Sequence, residues 1–181
     1  CDLTVGQETF AGINTWQANW TLWQRHGFER PAWDNAVQYK TRIFDKNRFP
    51  PDSGFEAVYR FEASAEALKG LHLAVEAPEL YRVAVNGHAV DFKAAERWLD
   101  PHIRAALIEK HARAGENVVS ITGRPFDVKM ELENIYLRGN FGVEPAARGF
   151  RLTGPKTLML GSWARQGMPF YADAVTYETK V

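Results

Sequence analysis

The sequence predicts an all-β fold, an antiparallel β-sandwich with a short surface helix. Three observations carry the prediction. From Val37 onward apolar residues recur at every second position, the runs are short and rich in β-branched and aromatic residues, and Gly, Pro and Asn separate them. Many short strands with such turns belong to sandwiches or barrels, because a strand's apolar face has to be covered by a second sheet. The chain has 181 residues, 45% of them hydrophobic and 13% aromatic, enough for one well-buried core.

The first 36 residues differ from the rest, carrying Trp16, Trp20, Trp23 and Trp33 among polar residues. Trp16, Trp20 and Trp23 fall at helical spacing, which suits a helical turn packing on the sandwich; a linker wrapped on the body with tryptophan anchors is the alternative. Residues 1–36 therefore read as a Trp-rich segment and 37–181 as the sandwich. Alternating runs at Val37–Phe44, Phe55–Glu62 and Leu71–Glu76 each present one core face. Leu80–Val85 then runs into Asn86-Gly87, a dipeptide suited to the positive φ values of a type I′ hairpin turn, with Ala89–Phe92 as the return.

The surface helix is expected at His102–Arg113, where Ile103, Ala106, Leu107 and Lys110 keep helical spacing. Asp100 can cap it, Pro101 suits its first turn and Gly115 can end it. Strands resume at Asn117–Thr122, Met130–Leu137, Gly149–Leu152, Thr157–Leu160 and Ala174–Thr179. No internal repeat or low-complexity tract interrupts them.

Charge and motif excluded several functions. Lys plus Arg and Asp plus Glu both number 22, so no net positive field exists to hold a phosphate backbone, and nucleic acid is not an expected partner. No apolar run approaches the roughly 20 residues that span a bilayer, and no membrane partner is expected. Cys1 is the single cysteine, so no intrachain disulfide forms. Cys1 in place of Met, and a strand-like end from Tyr171 to Val181, make the chain read as a fragment; a lipid-bearing Cys1 is the other reading.

Gly154-Pro-Lys-Thr157 lacks the glycine spacing of a phosphate loop, and Ser162 lies outside a nucleophile elbow. His102 and His111 stand nine positions apart, which matches no metal-binding pair. Glu131 and Glu133 alternate with Met130, Leu132 and Ile135 as the solvent face of a strand rather than as glycosidase acids. Asn19-Trp20-Thr21 matches a glycosylation sequon that matters only in a eukaryotic secretory setting. No cofactor is expected apart from a structural calcium ion, for which Asp45, Asp52 and Asp91 are available donors without defining a site.

Aromatic side chains offer a different chemistry, because sugar rings stack their C–H faces on indole and phenol rings while amides and guanidinium groups bond the hydroxyls. Trp163, Arg165, Gln166, Phe170 and Tyr171 form one such set in a loop with Gly167 and Pro169. Trp98 with Asp100 and His102 forms a second. For both sets packing is the competing role.

One longer pattern is more specific: Tyr59-Arg-Phe61, Leu71-His-Leu-Ala-Val75, Tyr81-Arg-Val-Ala-Val-Asn-Gly87, Asp100, Ile103, and Ala114-Gly-Glu-Asn-Val-Val-Ser-Ile121. It resembles the sugar-binding sandwich domain of glycoside hydrolase family 2. Gly161–Tyr171 with Val175-Thr-Tyr177 is similar to the closing strands of sandwich domains in large α-L-rhamnosidase-like hydrolases. The resemblance runs from Val37 to Val181, with a longer Arg97–Ala114 insert than the simplest members have. It implies a jelly-roll, galactose-binding-like sandwich, non-catalytic, that packs beside the catalytic domain of its own parent chain and contacts glycan. It also implies a secreted or periplasmic location. An autonomous carbohydrate-binding module is the alternative, and a jelly-roll carbohydrate-active enzyme a weaker one.

Overall fold

The two longest alternating runs place the centre of the molecule. Phe55–Ala63 (β3) and Gly115–Gly123 (β9) pair antiparallel along their full lengths, from Phe55 opposite Gly123 to Ala63 opposite Gly115. Their alternation puts Phe55, Ala57, Val119 and Ile121 on one buried face. The computed structural model describes residues 1–29, 31, 43–147, 149–171 and 174–178. Among them the strands form an eight-stranded and a four-stranded sheet, the two layers of a β-sandwich.

In the larger sheet β9 is flanked on its far side by Arg82–Val85 (β5), which turns back into His88–Ala89 (β6). Asn86 and Gly87 have φ of 51° and 81°, the positive pair that the Asn-Gly turn requires. The other edge of β3 is shared. Asp2–Val5 (β1) pairs antiparallel with Phe55 to Val58, while Phe150–Thr153 (β12) pairs parallel with Glu62 and Ala63. Glu8–Phe10 (β2) pairs with β1, and Gly142–Pro145 (β11) with β12. The smaller sheet runs in the order Tyr136–Arg138 (β10), His72–Glu76 (β4), Asp100–Leu107 (β8), Glu96–Trp98 (β7). Leu73 and Val75 of β4 join Val83, Val85, Val119 and Ile121 in a common core.

Thr15–Arg25 (α1) closes one end of this core. Asn14 caps it, its Oδ1 accepting the Gln17 N–H at 2.8 Å. Ala18, Asn19, Leu22 and Trp23 are its buried stripe. The helical spacing of the tryptophans is therefore correct, although only Trp23 is buried and Trp16 is 66% exposed at the helix start. Asn19 is also buried, its Oδ1 accepting the Leu132 N–H at 3.1 Å, so the sequon is a packing and tethering position. His26 follows the helix with its ring on Phe126, centroids 3.9 Å apart. Its Nδ1 bonds Leu22 O at 2.7 Å and its Nε2 accepts the Gly54 N–H at 3.2 Å, tying the helix end to the start of β3.

A buried amide pair locks the hairpin side. Asn117 is fully buried. Its Oδ1 accepts from Arg113 N and Asn86 Nδ2, both at 2.8 Å, and its Nδ2 donates to Arg113 O at 2.7 Å and Gly115 O at 3.0 Å. Asn86 in turn donates to His111 O and accepts from Val118 N. Asn117 thus bonds the loop before β9, and the contact extends into a network.

Several expected elements differ. The stretch read as a helix from His102 is strand β8 up to Leu107, followed by turns. Two neighbours decide this: β8 lies between β4 and β7 and satisfies its backbone against both, an option that local helical spacing does not reveal. Asp100 does bond forward, but to His102 N at 2.8 Å in a turn of its own. Of Met130–Leu137 only Tyr136 and Leu137 are strand, continuing to Arg138. Met130 and Leu132 are buried without a ladder, their segment held by Tyr81, whose hydroxyl bonds Glu131 O at 2.8 Å and accepts Glu131 N–H at 2.9 Å. Glu131 and Glu133 are thus not a strand face.

Thr157–Leu160 is irregular because the Gln166 side-chain amide, and not a strand, takes the N–H and C=O of Met159. Residues 174–178 form no strand. The expected return strand Ala89–Phe92 is reduced to His88–Ala89. Strands β1, β2, β7 and β11 were not anticipated. Residues 37–42 of the first expected strand, with Trp33 and Thr179, lie outside the described residues.

Candidate functional site

The outward face of the smaller sheet begins with two alanines. Tyr136, Ala74, Ala105 and Glu96 are in register across β10, β4, β8 and β7, so all four project to the same side. That side is opposite to Leu73 and Val75, which point into the core. Yet Ala74 and Ala105 are 0% and 2% exposed. On this side the ion pair between Arg138 and Glu96 joins the two edge strands over the two middle ones. Larger residues at the alanine positions would block that span.

Trp98 rests on the same arrangement. The Arg138 guanidinium lies over its ring, 5.1 Å from the centroid, and Tyr136 meets it edge-on at 5.4 Å. The strand shift between Arg97 and Trp98, together with Leu99 at φ 60°, turns the β7–β8 corner and aims the indole across the sheet. Trp98 remains half-buried, fixed by a cation and a ring but open on its remaining surface.

A broad cleft of about 920 Å³ opens beside it. Trp98, His72 and Arg138 form one wall, the β11–β12 hairpin with Val143 and Phe150 forms another, and Gln166, Met168, Phe170 and Tyr171 of the following loop form the third. The loop is docked on β11: Val143 N–H donates to Gly167 O at 2.6 Å. Glycine is required at 142 by the β12 side, since a Cβ there would stand 2.9 Å from Thr153 Oγ1 and 3.3 Å from Gly154 O. Gly167 itself sits at φ 95°, a value open to glycine. Phe170 packs edge-on against Phe150, centroids 4.8 Å apart, and is still 67% exposed.

The structure thus brings Trp98 of one expected set and Gln166, Phe170 and Tyr171 of the other into one cleft. It separates the rest. Trp163 is half-buried at the start of the single turn Trp163–Gln166 and does not line the cleft. Arg165 is exposed on that turn and also stands outside the lining. Asp100 is on the exposed corner, engaged with His102 N. Gln166 lines the cleft, but both ends of its amide are engaged by Met159 and Ser162, so its role is to shape the loop. The Tyr171 hydroxyl donates to Ala174 O at 3.1 Å.

Sequence reasoning missed His72, Arg138, Asn140, Lys156 and Phe150, which also line the cleft. Their common location follows from sheet register, which leaves no local mark. Lys156 is partnered by Glu144, which also bonds Arg151 at 3.2 Å; the lysine first and the arginine next hold the Glu144 carboxyl below the usual carboxylate range. Among the described residues the lining contains no Asp or Glu, so the groups they offer to a ligand are aromatic faces, imidazole, amide and cations.

Titratable groups perturbed elsewhere have structural causes. Burial pushes the Tyr59 phenol up to about 12 and the Tyr81 phenol up further, and burial followed by the neighbouring Glu76 raises Glu133. Among the described residues no group of three His, Cys, Asp or Glu could hold a metal ion. Nor is any helix long and apolar enough to cross a membrane.

A scan against protein-family models, a search of curated proteins and a search of solved structures each find no match to this chain.

Proposed function

We propose that this chain is a non-catalytic accessory domain of a carbohydrate-active enzyme, a glycoside hydrolase, and that it contacts glycan through the Trp98 cleft. The observation that carries the reading is the convergence on one cleft of Trp98 and of Phe170 and Tyr171, about seventy residues further along the chain. A rigid, half-covered indole beside two exposed rings suits the C–H face of a sugar, and His72, Asn140 and Arg138 stand where hydroxyl groups would need partners. Among the described residues the lining carries no carboxylate, which suits recognition, because glycosidic cleavage by the usual route uses a pair of them.

The accessory role, as against a free-standing binding module, is favoured by a second observation. Met159 and Leu160 are 70% and 82% exposed beside the cleft, the kind of apolar surface that a neighbouring domain covers. The resemblance to the glycoside hydrolase sandwich domain supplies the neighbour's class.

Calorimetric titration of the chain with neutral plant oligosaccharides tests the reading. Trp98→Ala, with its fold checked by near-UV circular dichroism, should weaken binding about tenfold, the scale of an aromatic contact with its desolvation. Absence of binding to every neutral glycan, or hydrolysis abolished by a single Asp or Glu substitution, would refute it. Tight binding by the isolated chain, unimproved by the neighbouring domain, would favour the autonomous module.

A further inference from the structure

A second cleft, of about 530 Å³, opens on the opposite side of the smaller sheet. Pro78, Val90, Phe92 and Pro101 form an apolar rim, with Arg104, His102 and Lys93 at the polar end. Arg104 is registered with Val75 of β4, so its side chain leaves β8 on the core-facing side, at the margin where the core ends. There it is half-buried.

Across the ladder on β7 the residue opposite Arg104 is Arg97. Like charges directly opposite each other on adjacent strands destabilise a sheet unless something neutralises them. Among the described residues no such neutralising group stands beside the arginine pair. β7 is an edge strand, Val75 lies beyond Arg104, and Glu96 is committed to Arg138 on the other face. Among the described residues no carboxylate lies within ion-pair distance of either guanidinium. The acids that line this cleft are Glu79 and Asp91, and Asp91 already accepts the Lys93 N–H at 2.8 Å.

We infer that this cleft binds an anionic ligand, with the Arg104 guanidinium that lines it as the counter-charge and Arg97, opposite it on β7, adding to the positive field. The fork of a guanidinium matches the paired oxygens of a carboxylate or a phosphate, while the apolar rim suits the body of a ring. The ligand class is a sugar carrying such a group, a uronic acid or a sugar phosphate. The sugar part rests on the glycan-binding reading above; the anion part stands on the arginine pair alone.

The test is calorimetric titration of the full chain with glucuronate, glucose 6-phosphate, inorganic phosphate and glucose, at low and at raised salt. At least one anionic sugar should bind about tenfold more tightly than glucose, the scale of one charge-assisted hydrogen bond, and the stronger of the two identifies the anionic group. Salt should erode that preference. Arg104→Ala should abolish it, and Arg104→Lys, which keeps the charge without the fork, should retain a part. If the half-buried Arg104 variants do not fold, Arg97→Ala on the exposed edge gives the same reading. Equal binding of glucose and both acids overturns the inference, as does a preference that survives Arg97→Ala and Arg104→Ala. Inorganic phosphate bound as tightly as the sugars keeps the anion site and removes the sugar from it. The neutral-oligosaccharide titration reports on the Trp98 cleft alone, so failure of that reading and failure of this one are told apart.

Discussion

Replacing Asn117 by Asp changes one buried atom type and almost no volume, which makes it a clean measure of the amide network. In the native protein Asn117 Oδ1 accepts two hydrogen bonds and Nδ2 donates two, to Arg113 O and Gly115 O. A carboxylate keeps both acceptor contacts and turns both donor contacts into oxygen against oxygen, in a site with 0% exposure. Each orphaned buried carbonyl costs about 1–3 kcal/mol, so Asn117→Asp should lose roughly 2–6 kcal/mol at neutral pH, before any cost of burying the charge. The sign of the pH dependence is then fixed. Burial raises the folded-state pKa of the introduced carboxyl above its unfolded value, so the protonated fold is favoured; one donor is restored below the unfolded value of about 3.9, and the deficit grows as pH rises through the higher folded value. Urea titration followed by tryptophan fluorescence, at constant m, measures the difference from native at each pH. Asn117→Ala should show a deficit of similar size without this slope. A deficit under about 1 kcal/mol at pH 7, or identical pH profiles for the two variants, would refute the assignment of the network.

Three further outcomes are expected. Gly87→Val should destabilise by roughly 1–3 kcal/mol in thermal melts without affecting glycan titration: a Cβ there meets nothing within 4 Å, so the cost is the backbone's φ of 81° alone. His26 is held below its ordinary value of 6.5 by burial, against the opposing bond to Leu22, and its Nε2 must stay unprotonated to accept the Gly54 N–H. Its contribution is therefore complete above pH 6.5 and declines as pH falls through the folded value; the native-minus-His26→Asn difference should shrink on acidification by less than about 1.4 kcal/mol per pH unit, reduced because the ring is only half-buried. Ala105→Leu should break the span from Arg138 to Glu96, release Trp98 and weaken glycan binding more than stability, read by comparing titration with urea midpoints.

What was legible in the sequence was legible where the cause is local. The Asn86-Gly87 turn needs two positive φ values and nothing else, so two residues announce it. β3, β4 and β9 carry their own alternation. β8 did not, because Ile103, Ala106, Leu107 and Lys110 satisfy a helix equally well and only the pairing with His72–Glu76 and Glu96–Trp98 decides between them. β1 is four residues long, and its assignment depends on an edge of β3 more than forty residues away in the chain. The same limit applied to the cleft. Trp98 and Tyr171 were each suspected for their chemistry, but their meeting depends on two sheets, a bulge and a docked loop. Trp163 and Arg165 share the local chemistry and were left outside, and Gln166 spends its amide on the loop.

The divided edge of β3 has a consequence for assembly. Half of it waits for a strand that leaves the ribosome before β3 exists, and half for β12, made long after. Until Leu152 arrives, the end of β3 near Glu62 offers unpaired peptide groups to any extended chain, including another copy of itself. Synthesis order thus sets an interval of vulnerability at that end, whereas β1 is at hand to guard the other as soon as β3 emerges. Loss of β1 would open a second, permanent gap at the Phe55 end, and the result would be strand exchange between molecules rather than simple unfolding.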